Sequence, residues 1–177
     1  AALASARATV ELEDLLARKT ERGLLVFLDG IEDPHNLGAI ARSALAAGAA
    51  GIVIPERRAA GLTDTAERAS AGALAHLPVA RVKNLVRAMD EAKRAGYWMI
   101  GLDERAEKNY TDVDLKGSVG IVLGREGEGL HELTRKSCDF LVSLPTSGPV
   151  RSLNVSVAAG IMLFEVIRQR RASSGQS

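Results

Sequence analysis

Three stretches of the chain hold residue types and spacings that could do chemistry. The latest covers 140–167. An apolar segment, Phe140-Leu141-Val142-Ser143-Leu144, halts at Pro145, a loop with Gly148, Pro149 and Arg151 follows, and Ser152-Leu153-Asn154-Val155-Ser156-Val157-Ala158 begins a long apolar helix. A strand stopped by proline, a short polar loop and a helix start dense in Ser and Asn together offer backbone N–H and C=O groups to a ligand. The second stretch is Leu123-Gly124-Arg125-Glu126-Gly127-Glu128-Gly129. Its glycines let a ligand touch backbone. Glu126 and Glu128 would repel a pyrophosphate there, so a neutral or cationic ligand fits better; a tight turn capping a helix fits the same residues. The earliest stretch is a helix opened by Asp33 as N-cap and Pro34 at the first helical position, on which Asn36 and Arg42 stand six apart among alanines. An arginine that is simply exposed would look the same.

Several chemistries lack their residues. The first strand is followed by neither G-x-G-x-x-G nor G-x-x-x-x-G-K-[ST], so the phosphate loop of a nucleoside-triphosphatase or an ordinary dinucleotide enzyme is missing where that fold keeps it. There is no G-x-S-x-G and no Ser, His and Asp spaced as a hydrolase triad. His35, His76 and His131 are scattered with no cysteine at ligand spacing, which argues against a metal site. Cys138 is the single cysteine, so an intramolecular disulfide is excluded and a reducing cytosol suits the chain. No apolar run reaches the roughly 20 residues that span a bilayer, and no signal-peptide pattern occurs, so no membrane partner and a cytoplasmic location are expected. With a net charge of +1, nucleic-acid binding would have to rest on local patches such as Arg57-Arg58, Lys83 with Arg87, Lys93-Arg94 and 168–171.

The elements that must position these residues alternate. Continuous apolar runs at 24–28, 51–54, 79–82, 97–102, 119–123 and 140–144 predict strands, and helices are predicted over 34–47, 63–68, 84–95, 130–137 and from 152 onward. Residues 103–116 are polar and give no clear signal. Six strand–helix alternations argue for a parallel sheet covered on both faces, and ligands of such sheets sit at the carboxyl ends of strands, where all three stretches fall. The last helix is apolar on more than one face, which fits either a buried interior helix or a subunit interface. At 177 residues the chain is one domain in size. Residues 9–19 read as a short amphipathic helix, so 1–22 are expected to be a helix and linker leading in from another domain, 23–171 the main domain and 172–177 a disordered tail.

Asp33-Pro34-x-Asn36-x-Gly38-x-x-x-Arg42, Leu123-Gly124-x-Glu126-Gly127-x-Gly129 and Ser152-Leu153-Asn154-Val155-Ser156-Val157-Ala158, in that order, resemble the three motifs of the SpoU branch of the SPOUT RNA ribose 2′-O-methyltransferases. The resemblance runs over about 24–171, which implies that 23–171 is the catalytic domain and that 1–22 are a helix and linker from an RNA-binding domain upstream. Within the family it is nearest to enzymes that act on a guanosine of 23S rRNA, with those that act on tRNA close by.

The resemblance implies an α/β fold in which a parallel sheet flanked by helices ends in a deep C-terminal trefoil knot, an arrangement that connection rules alone would reject. It also implies S-adenosylmethionine held by backbone groups at Gly124, Leu144 and Leu153, with Gly101, Leu102, Leu123 and Gly129 on neighbouring strand ends. The cofactor's net positive charge suits the acidic glycine loop, and its adenine suits a slot of Leu and Val. By the same resemblance Arg42 reaches in from a second subunit and acts with Asn36, Glu126, Ser152 and Asn154, which makes a homodimer the working unit and RNA the partner. A guanidinium stays protonated, so the role expected of Arg42 is to stabilise developing alkoxide charge rather than to act as a base. The alternatives are a tRNA or other rRNA target, and an RNA-binding or assembly factor without methylation.

Overall fold

The computed structural model describes residues 9–18 and 21–175. Six strands, β1 (Leu24–Asp29), β2 (Gly51–Pro55), β3 (Val79–Val82), β4 (Trp98–Leu102), β5 (Val119–Gly124) and β6 (Phe140–Val142), form one sheet in the order β3-β2-β1-β5-β4-β6. Every pairing is parallel. The helices are α1 (Leu12–Ala17), α2 (Pro34–Ala46), α3 (Asp64–Ala69), α4 (Leu85–Arg94), α5 (Glu132–Ser137) and α6 (Val155–Ser173).

Both sheet faces are covered, which is why the strands read as unbroken apolar runs instead of alternating ones. Successive residues still divide between two cores. Leu24, Val26 and Leu28 of β1 meet Ile121 and Leu123 of β5 on the face covered by α2 and α6. Leu25 and Phe27 turn to the other face, against Leu15, Met89 and Leu130. Each such side chain, removed from water, contributes about 1.5–3 kcal/mol relative to staying exposed.

Alanine and glycine set how closely the helices approach. Gly38 of α2 faces α3, and a methyl group placed on it would lie 2.4 Å from the Ala66 carbonyl oxygen and 2.6 Å from the Ala69 Cβ. The motif glycine is therefore a packing requirement between two helices. Ser70, at the end of α3, is fully buried, with its hydroxyl donating to the Glu67 carbonyl and accepting from the Leu74 N–H.

The ends of several elements depart from expectation for identifiable reasons. β6 stops at Val142 because Ser143 turns its backbone to the preceding crossover, donating to the Lys108 carbonyl at 2.9 Å and accepting from the Tyr110 N–H at 3.0 Å. That crossover, polar in sequence, still buries Val113 and Leu115. It is held by Gln169 of α6, which accepts from the Leu115 N–H and donates to the Val113 carbonyl. α6 runs to Ser173, two residues into the expected tail. At the other end of the chain the helix is confined to Leu12–Ala17 and is docked rather than set apart: Leu12 and Leu15 are buried, and Val10 bridges to Ala80 beside β3. Residues 1–8, 19–20 and 176–177, which complete the expected linker and tail, lie outside the described residues. Among the described residues no helix is long and apolar enough to cross a membrane.

Candidate active site

At the carboxyl ends of β4, β5 and β6, three turns enclose an open-mouthed cleft. Leu102 and Leu123 form its floor, Gly124 to Gly129 one wall, and Leu144, Ser152 and Leu153 the other. The glycine wall is a tight loop in which Arg125 and Gly129 exchange backbone hydrogen bonds of 3.2 and 2.7 Å. Gly124 sits beneath it so closely that a Cβ there would lie 2.3 Å from the Gly129 carbonyl carbon and oxygen. Only glycine fits.

Two helix N-termini meet beside this wall. Asp33 caps α2 by accepting from the His35 N–H at 2.9 Å. Asn154 caps α6, its Oδ1 accepting from the Ser156 N–H at 2.9 Å and also from the Ser156 hydroxyl. This cap moves the start of α6 to Val155, so Ser152 and Leu153, expected in the helix, lie in the loop and face the cleft. With its oxygen committed to α6, Asn154 donates through Nδ2 to Asn36 Oδ1 at 3.3 Å. Glu126 reaches across from the glycine loop and accepts the Val155 N–H at 2.9 Å. An anion at a helix N-terminus is stabilised by the peptide dipoles, by about 0.3–1 kcal/mol at an exposed site.

The acidic character of the glycine loop is thus largely satisfied internally, because Glu128 also pairs with Arg125 at 3.3 Å. What faces the cleft is a mixture of signs, with Asp103, Glu104 and Glu126 opposite Arg105, Arg125 and Arg151.

Thr146 and Arg151 line the cleft from the loop after β6, and Asp103, Glu104 and Arg105 line it from the polar stretch that gives no clear signal in the sequence. Asp103 is buried at the end of β4 and accepts from Arg135 Nε at 2.8 Å and from the Arg105 N–H at 2.9 Å. Burial pushes its carboxyl up, but hydrogen bonds from Arg105 and Arg135 outweigh that and hold it below the usual carboxylate range. Asp29, buried at the end of β1, makes a comparable contact one helical turn away, accepting from the His131 N–H at 2.8 Å and lying 2.7 Å from His131 Nδ1. Together the two carboxylates fix α5, and with it the far end of the glycine loop.

Four of the expected site residues do not line the cleft: Asn36 and Asn154 stand beside it at the two helix starts, and Gly101 and Arg42 are not brought to it. Gly101 is not among its lining residues; a Cβ there would run into Cys138 Sγ at 2.6 Å and Leu141 Cδ2 at 2.9 Å, on the other face of the sheet. Strand alternation sends Leu102 to the cleft and its neighbour away from it. Arg42 is exposed on α2 and lies outside the cleft of its own chain. Six helical residues put it about 9 Å along the axis and about 120° round from Asn36. Asn36, Glu126, Ser152 and Asn154 do come together, as do Gly124, Gly129, Leu102, Leu123, Leu144 and Leu153. Burial pushes the Cys138 thiol up to about 12, which leaves it inert as a nucleophile. Among the described residues no three His, Cys, Asp or Glu side chains are placed to share a metal ion.

Comparison with known proteins gives one consistent picture. The SpoU rRNA Methylase family profile matches residues 23–164. A Bacillus subtilis protein named "Putative TrmH family tRNA/rRNA methyltransferase YacO" is 49% identical over 163 residues, covering 90% of this chain and 66% of that protein. The "23S rRNA (guanosine-2'-O-)-methyltransferase RlmB" of Xanthomonas campestris pv. campestris is 49% identical over 160 residues, covering 90% of this chain and 64% of its own. Among solved structures, the SpoU methyltransferase AviRb of Streptomyces viridochromogenes, in complex with AdoMet, superposes with a TM-score of 0.85 at 34% identity, over 93% of this chain and 66% of that one. The chain spans about two thirds of the length of these curated relatives.

Proposed function

This chain belongs to the SpoU rRNA Methylase family, and from that membership we propose that it transfers a methyl group from S-adenosylmethionine to the ribose 2′-oxygen of a guanosine in 23S rRNA. The observation that carries the reading is the junction of Asn36, Glu126 and Asn154 at two helix N-termini, beside a cleft walled by glycine backbone.

The cleft suits the methyl donor on its own chemistry. Leu102, Leu123, Leu144 and Leu153 offer apolar walls to an adenine, and the paired signs at its rim suit a zwitterionic amino-acid end. When bound, S-adenosylmethionine would supply a methyl carbon activated by its sulfonium, with a neutral thioether as the leaving group. The protein holds the ribose hydroxyl in line with that carbon and eases loss of its proton to solvent. Asn154 is locked in orientation by its cap and by Asn36, so it presents a fixed polar group where the sugar enters, with Ser152 of the loop lining the cleft beside it. Arg42 of the partner subunit stabilises the developing alkoxide; one such donor is commonly worth about 3–4 kcal/mol.

A homodimer is supported by the uncovered side of α6, where Val157 and Phe164, seven residues apart and so on one face, are 52% and 51% exposed. The position of Arg42 outside its own cleft supports it as well. A trefoil knot is supported by the route of residues 143–154. The chain leaves β6 at the sheet edge, passes the 103–117 crossover that contacts both Ser143 and Gln169, and returns to pack α6 on α2 and β5. An rRNA substrate puts the reaction in the cytoplasm. The B. subtilis relative's name includes tRNA as well as rRNA, which favours tRNA as the second reading, because the catalytic turns do not encode the target.

Radiolabelled methyl transfer to total rRNA and tRNA, followed by mapping of the modified nucleotide, tests the proposal. A 2′-O-methylguanosine in 23S rRNA is the expected product. Label confined to a base atom, or S-adenosylmethionine binding without transfer to any RNA even in a chain extended upstream, would overturn it.

A further inference from the structure

Only six aromatic residues occur in the chain, three Phe, two Tyr and one Trp. Two of them are exposed side by side at the free edge of the sheet. Trp98, the first residue of β4, is 55% exposed, and Phe140, the first residue of β6, is 37% exposed; their ring centroids lie 5.9 Å apart at 37°. Lys108 places its ammonium 5.4 Å from the Phe140 ring centroid. Together with Val113 these residues line a groove separate from the cleft already described. No packing need explains an uncovered tryptophan at a strand start, and burying its large ring would be favourable.

The location is informative. Phe140 pairs with Ile100, whose side chain, like those of Val142 and Leu144, lies on the α2 and α6 face. Phe140, Val142 and Leu144 alternate on that face, and Leu144 lines the cleft. Four extended residues measure about 13 Å, which is the length of about four stacked nucleotides. The rings thus stand on the same side of the sheet as the candidate active site, at the opposite ends of the same strands and about 13 Å from Leu144. Asp112 and Asp114 also border the groove, and Lys116 pairs with Asp114 at 3.1 Å. Phosphate therefore finds one ammonium, Lys108, while the larger contact offered is to an uncharged flat ring.

We infer that Trp98 and Phe140, with Lys108, form a stacking platform for an unpaired base of the RNA substrate a few nucleotides from the methylated ribose. This rests on the RNA methyltransferase reading above. Stacking on aromatic rings tolerates any base, so the platform selects for single-stranded character next to the target rather than for sequence.

Trp98 is the only tryptophan, so its fluorescence reports the platform directly. A single-stranded RNA about 12 nucleotides long, ample for the gap, is expected to quench it saturably, and S-adenosylhomocysteine is not. In methyl-transfer assays, Trp98→Ala should raise the KM for RNA about 10-fold, within the range for loss of one stacked base. It should leave the KM for the methyl donor unchanged, whereas Trp98→Phe should stay near the parent. Phe140→Ala, which keeps the fluorophore, should weaken the quenching. Methyl transfer with an unquenched Trp98 and an unchanged RNA KM in Trp98→Ala would overturn the platform, and would assign these rings to a protein contact, while leaving the enzyme reading intact. Quenching with no transfer to any RNA would have the opposite meaning.

Discussion

Asn154 Nδ2 donates to Asn36 Oδ1 across 3.3 Å, joining the start of α6 to the first turn of α2 between residues 118 apart in sequence. One amide thereby does two tasks: its oxygen caps a helix and its nitrogen fixes the angle between two helices. The chemistry follows from that rigidity, because a polar group whose rotamer is held on both sides can orient a sugar hydroxyl without ordering cost at the moment of reaction.

Replacing Asn154 by Ala should therefore show in two measurements. Loss of the cap should cost about 1 kcal/mol in urea denaturation, and methyl transfer should fall by much more than that destabilisation explains. A drop in activity no larger than the loss of folded protein would mean that Asn154 is a cap and nothing else.

Gly124→Ala should abolish binding of the methyl donor in calorimetry. The added carbon would sit 2.3 Å from the Gly129 backbone, so the loop must move. Donor affinity like that of the parent would show that the glycine wall does not form the binding surface.

Arg42→Ala should leave donor binding intact and lower the transfer rate by about 10²–10³-fold, the usual loss of one charge-stabilising donor. Single-turnover kinetics with saturating donor separates the two effects. A near-normal rate would remove the guanidinium from the mechanism.

Asp103 gives the fold an acid-sensitive contact. Its folded-state pKa is held below the unfolded value by Arg105 and Arg135 in spite of burial, so its stabilisation is fully present above about pH 4. It is lost as the pH falls through the lower, folded value. Glu165, lowered chiefly by its hydrogen bond to Arg168, has the same sign. Denaturant midpoints measured from pH 6 downward should fall below about pH 4, and Asp103→Asn should be less stable at pH 6 with a shallower fall. An equal decline in parent and variant would assign the acid sensitivity elsewhere.

Much of this molecule is legible in its sequence because its strands are buried on both faces and bounded by Gly, Pro or Asp. Leu24–Asp29 and Val119–Gly124 could hardly be read otherwise. The Asp33-Pro34 helix start declares itself through capping chemistry. Contacts between distant residues are not written locally. Asp103 meets Arg135 across 32 positions and Asp29 meets His131 across 102, and nothing beside either carboxylate in sequence announces that it is buried. Gly101 shows the converse limit. A glycine at a strand end looks like a ligand contact, but one step of strand alternation turns it toward Cys138 and away from the cleft.

Co-expression of Arg42→Ala with Asn154→Ala tests most directly whether each site is built from two chains. Random pairing makes half of the dimers mixed, and in each mixed dimer one of the two sites would combine an intact Asn154 with an intact Arg42 from the other chain. Activity should return to about a quarter of the parent level from two inactive variants. If mixed dimers are recovered and their activity stays at the level of either variant alone, Arg42 does not act across the interface.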